Sequence, residues 1–177
     1  GLEGVSVARQ STDGLAGTGT APTVNILTIG DQVVTTCKID LTGLKKKSTV
    51  GDVIGKESVA NAYLFLYEAA THGIFHKIEI SCCELPAATN NLQDIDIISA
   101  DETNLTYDGS ASGGTNAVVL SEMGGNNVAL GQTYQDLTAL NPNADGDAIY
   151  LAEGASSGDN AYTAGMIVVK FYGTIAF

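Results

Sequence analysis

The closing stretch AGMIVVKFYGTIAF constrains this chain more than any other feature. Taken at period two, Ile167, Val169, Phe171, Ile175 and Phe177 fall on one face with Gly173, while Met166, Val168, Lys170, Tyr172, Thr174 and Ala176 fall on the other. One face is apolar and the other mixed, the pattern of a strand whose successive side chains point to opposite sides of a sheet. Lys170, Tyr172 and Thr174 interrupt it well short of the about 20 consecutive apolar residues of a membrane helix, so no membrane partner is expected. The run predicts a closing β-strand placed centrally in its sheet, because an untied terminus ordinarily frays into polar residues. Its core partners are expected to be Ile39, Leu64, Leu66, Ile78 and Ile80, packed with Phe171, Ile175 and Phe177.

The same period recurs along the chain. TVNILTIG and QVVTTCKIDLTGL read as strands joined by a hairpin turn at Gly30 and Asp31. NAYLFLYEA and GIFHKIEISCCEL read as a second hairpin, and QDIDIISA, NAVVLSE, NVALG and DAIYLAEG as further strands. KKKSTVGDVIGKES reads as a loop, and QTYQDLTALN is the best helix candidate. Charged residues make up 16% of the 177 and hydrophobic ones 44%, with 21 glycines, so Ser, Thr, Asn, Gln and Gly must carry most of the polar surface. Many short strands divided by Gly, Asn and Asp turns predict an all-β fold. The expectation is an antiparallel β-sandwich of jelly-roll type over residues 22–177, preceded by an extended, flexible N-terminal arm over 1–21. That arm is rich in Gly, Ser and Thr without sustained period, and reads either as a disordered tail or as a segment that orders against a neighbouring subunit.

Charge and cysteine content exclude some partners. A formal net charge of −12 with Arg9 as the single arginine argues against gripping a phosphate backbone, so no nucleic acid partner is expected. No signal peptide is visible at GLEGVSVARQ, although a chain already cleaved would look the same. Cys37, Cys82 and Cys83 are odd in number, two of them adjacent, and read as reduced, strand-borne side chains of an intracellularly assembled protein.

Candidate sites are sparse. NPNADGDA places oxygen-bearing Asn141, Asn143, Asp145 and Asp147 at calcium-loop spacing around Gly146, but Ala152 stands where the bidentate carboxylate belongs, so a plain hairpin turn competes with calcium. GASSG matches a nucleophile elbow around Ser156, yet a strand follows it, and His72 and His76 both lie upstream. GDVIGK is one residue short of a phosphate loop and is followed by Glu57. His76, Lys77 and Glu79 alternate faces on a strand and read as a solvent-facing pair with a core-edge imidazole, and Asn104 heads a common glycosylation sequon. Lys45, Lys46 and Lys47 form the chain's one basic cluster, either a solvated loop or a contact for an acidic partner surface. No catalytic set and no cofactor site emerges, so a non-enzyme is expected.

Three segments carry a resemblance: VVTTCKIDLTGLKKKSTVGDVIG, DIDIISADETNLTYDG and GDAIYLAEGASSGDNAYTAGMIVVKFYG. Together they resemble small virion structural proteins of tailed bacteriophages. The resemblance covers much of residues 33–173, rests on scaffold motifs, and transfers no active-site residue. It implies a capsid decoration or cement protein on the virion surface, assembled in the host cytoplasm. Its partners would be the major capsid protein and its own copies, with a trimer favoured. Contacts are expected from the Lys45–Lys47 loop and from Gly1, Leu2, Val5, Val7 and Arg9 of the arm. The alternatives are a tail-associated virion protein and a carbohydrate-binding or adhesive β-sandwich module. The second usually displays exposed aromatics, whereas this chain has no Trp and seven Tyr.

Overall fold

The computed structural model describes residues 5–10 as backbone, and 13–47, 49–88, 94–114, 116–122, 128–138, 140–155 and 158–175 in full. The described residues form two antiparallel sheets packed around one core. The larger sheet runs β1 (Val5–Gln10), β2 (Thr23–Ile29), β3 (Gln32–Asp40), β11 (Asn160–Thr174), β6 (Ile74–Ala88) and β9 (Thr133–Asp136), with β4 (Lys45–Lys46) pairing the start of β11. The smaller sheet runs β5 (Tyr63–Leu66), β10 (Ala148–Glu153), β7 (Ile95–Ala100) and β8 (Val118–Ser121). This is the expected all-β sandwich.

The closing strand is central, as its alternation predicts. Strand β11 is flanked by β3 and β6, and Ile167, Val169 and Phe171 are fully buried, as are Ile39, Ile78 and, to 1–2% exposure, Ile80 and Leu64. Leu66 and Ile175 are only partly buried, and Phe177 lies outside the described residues. Phe171 meets Phe65 of the opposite sheet edge to face at 5.2 Å and Phe75 at 5.1 Å, so one aromatic cluster joins the two layers. Gly165 takes φ +139° where β11 bulges past Pro86, whose Cα lies 2.9 Å from where a β-carbon would sit. A side chain there would meet both an unfavourable backbone conformation and a neighbouring main chain.

The Gly30–Asp31 turn forms as expected, with Gly30 at φ +63° joining β2 and β3. Three expectations fail. The second hairpin does not form: β5 and β6 belong to different sheets, and a short helix α1 (Ala69–His72) carries the chain between them. Its first amide, of Ala69, donates to Asp145 Oδ1 at 2.7 Å, and the His72 ring packs on Phe65, so the crossover is tied at both ends. QTYQDLTALN contains strand β9 instead of a helix, recruited to the edge of β6 between Ser81 and Ile78. NVALG forms no strand over its described part, although the Gly131 amide donates to the Cys82 carbonyl and that of Cys82 to the Gln132 carbonyl.

The arm also differs from expectation. Val5–Gln10 pairs antiparallel with Thr23–Thr28 of β2, and Leu15, in a 3₁₀ turn over Asp13–Leu15, is fully buried in the core. The Lys56 amide donates to the Gly14 carbonyl at 2.7 Å. The body therefore begins at least as early as Asp13, because an apolar anchor amid small residues has docked the segment.

Candidate functional site

The lysine run does not present three free cations. KKK is part of β4 and its flank, and alternation turns Lys46 inward while Lys45 and Lys47 stay at the surface. Lys46 Nζ lies 3.6 Å from Glu153 Oε1, both side chains fully buried between the sheets; burial pulls the ammonium's pKa down and Glu153 works against that. Lys45 Nζ pairs with Glu57 at 2.6 Å, and Lys47 Nζ bridges Asp108 at 3.2 Å and Asp159 at 3.6 Å. Tyr107 lies beneath both outer lysines, 5.7 and 5.9 Å from its ring centre. The expected contact residue Lys46 is thus a core group, and the outer two tie their own loops together. Among the other expected contacts, Gly1 and Leu2 lie outside the described residues, while Val5, Val7 and Arg9 belong to β1.

The calcium-like turn is used as scaffolding. Asn141 accepts from the Phe75 amide at 2.7 Å and donates to the Phe75 carbonyl at 2.9 Å. Asn143 Nδ2 donates to the Asn116 carbonyl, Asp145 holds α1, and Asp147 Oδ2 accepts the amides of Asn143 and Ala144. The four oxygen-bearing side chains serve different partners, and no three His, Cys, Asp or Glu side chains among the described residues are grouped to hold a metal ion. Ser156 of the elbow pattern lies outside the described residues. In GDVIGK, Val53 pairs with Ala152 and the Ile54 amide donates to Leu151, so the stretch continues the edge of the smaller sheet.

His76 is exposed, and the buried imidazole is His72, at 1% exposure. Its Nδ1 lies 2.9 Å from Thr35 Oγ1. Lys77 and Glu79 do form the expected outward pair at 3.0 Å, with Lys77 Nζ 4.0 Å from the Tyr172 ring centre. Tyr172 donates to Glu79 Oε2 at 2.6 Å and Gln135 to Oε1 at 2.8 Å. The Tyr172 hydroxyl bond, with Lys77 and Gln135, holds the Glu79 carboxyl below its usual range, while burial and then Glu79 push Tyr172 up to about 12. This arrangement fastens three strands and leaves its acid, base and cation committed to one another. All three cysteines are free thiols, and burial pushes Cys37 well up, whereas Cys83 is exposed on β6.

Two features went unread in the sequence. The first is the outer face of the larger sheet, where Ile29, Gln32, Thr174 and Ile74 form one cross-strand row and Leu27, Val34, Tyr172 and Lys77 the next. Leu27, Ile29 and Ile74 are 42, 51 and 49% exposed, and Ile74 borders a hollow lined by Ala69, Ala70 and Ile175. Each strand's pattern was legible, but which strands lie side by side was not. The second is a pair of buried carboxylates at the start of β7, signalled only by the DID alternation of Asp94 and Asp96. No helix of the described residues is long and apolar enough to cross a membrane. Comparison with known protein families, curated proteins and solved structures finds no match to this chain.

Proposed function

We propose that this protein is a non-enzymatic virion structural subunit, a decoration or cement protein that fixes itself to a lattice of major capsid protein and to its own copies as a trimer. The segments that resemble phage virion proteins support this reading. The observation that carries it is the outer face of the larger sheet. A four-strand surface with Leu27, Ile29 and Ile74 open to solvent is suited to a neighbour at a repeated site, where burying apolar area offsets the mutual repulsion of subunits each carrying a formal −12 charge. The outer lysines are held by their own carboxylates, so attachment falls to this face and to β1 along its edge rather than to the lysine run.

The test is binding to heads that lack the native protein. Intact chain should attach at a fixed copy number, and Leu27→Lys/Ile29→Lys/Ile74→Lys should attach at least tenfold more weakly with an unchanged thermal midpoint. Full-strength attachment by the folded triple variant removes this face from the mechanism. Failure of the intact chain to bind heads moves the assignment to the tail or to an adhesive module.

A further inference from the structure

Asp94 and Asp96 flank the start of β7 and share one face, at 7 and 6% exposure. The Oδ1 atom of each is buried without a hydrogen-bond partner, and neither residue forms an ion pair among the described residues. Both oxygens converge on Gly154, which follows β10 and whose amide donates to the Asp94 carbonyl at 3.1 Å. A β-carbon at Gly154 would collide with Asp94 Oδ1 and stand 2.9 Å from Asp96 Oδ1, so both carboxylates close on the main chain at a point where only glycine leaves them room.

The buried Lys46 does not serve them. Glu153 stands opposite Ile95 and Asp96 opposite Ala152, so Glu153 leaves the sheet on the inner face with Lys46, and the aspartates lie on the other. Glu122, Asp136 and Glu153 add further negative charge felt at Asp96. Burying carboxylates together is unfavourable unless a positive charge sits between them. Two convergent carboxylate oxygens are hard donors, suited to calcium, whose flexible shell accepts water for its remaining ligands.

We propose that Asp94 and Asp96 hold a calcium ion between their carboxylates, beside Gly154. With two protein carboxylates the site belongs to the weak class, with dissociation constants of about 10⁻⁴–10⁻³ M. It is separate from the Asn141–Asp147 turn, whose oxygens already serve the protein, and it does not depend on the virion reading.

The experiment is thermal unfolding of the full chain at pH 8 in 10 mM calcium chloride against EDTA, with calorimetric titration of calcium. The wild type should gain roughly 3–10 °C and bind one ion. Asp96→Asn should be more stable than wild type in EDTA and gain nothing from calcium. Gly154→Ala, folded by circular dichroism, should also lose the response because its methyl pushes both carboxylate oxygens aside, and Asp145→Asn should keep it. An unchanged wild-type midpoint with no heat of binding overturns the proposal, leaving a proton between the aspartates. An equal gain in Asp96→Asn, or loss of the response in Asp145→Asn, overturns it by placing the ion elsewhere.

Discussion

Replacing Lys46 by Met tests the reading that a buried ion pair pins the two sheets together. At 3.6 Å between Nζ and Glu153 Oε1, an effective dielectric of about 20 gives an attraction of about 5 kcal/mol. Desolvating the two ions costs several kcal/mol each, so the pair as a whole contributes little net stability. Removing one partner is different, because Glu153 stays fully buried beside Tyr162 with its cation gone. We expect Lys46→Met to cost about 3–5 kcal/mol. For a urea m-value of about 2 kcal/mol/M, that lowers the denaturation midpoint by about 1.5–2.5 M at unchanged slope. The double variant Lys46→Met/Glu153→Met should return to within about 1 kcal/mol of wild type or exceed it. Glu153→Met alone leaves Lys46 buried with its pKa depressed. The unfolded chain then binds more protons than the folded one, so this variant should gain stability as pH rises from about 7 to 10. A Lys46→Met protein as stable as wild type, or a double variant whose loss equals the sum of the two singles, would refute the reasoning.

Phe171→Ala should cost about 3–5 kcal/mol and lower the thermal midpoint by roughly 6–20 °C, since the ring bridges Phe65 and Phe75 across the core. Burial, then Asp94 and the other carboxylates, push Asp96 up to about 7. The folded state thus binds the extra proton between about pH 4 and 7, and calcium-free wild type should lose stability over that window relative to Asp96→Asn, a difference that vanishes near pH 4. Asn141→Leu should cost about 1–3 kcal/mol in chemical denaturation, because it leaves the Phe75 amide and carbonyl without partners. Deleting residues 1–20 should lower the thermal midpoint, because it removes the fully buried Leu15.

The sequence by itself determined what is local and periodic. Two-residue alternation set the faces of β3 and β11, and Gly30 set the turn between β2 and β3, because the direction of a side chain on a strand and the backbone freedom of one glycine depend on immediate neighbours. The tertiary structure decided every choice of partner. NAYLFLYEA and GIFHKIEISCCEL look like a hairpin, yet β5 pairs with β10 and β6 with β11, strands that lie far along the chain. QTYQDLTALN became a strand because the edge of β6 offered a ladder that an isolated short helix could not match. Three identical lysines in a row received one core position and two surface ones, because only Lys46 finds Glu153 opposite it. Asp94 and Asp96 became a buried pair when β10 delivered a glycine against them. Burial and charge pairing are properties of what a distant segment places nearby, and no local pattern records that.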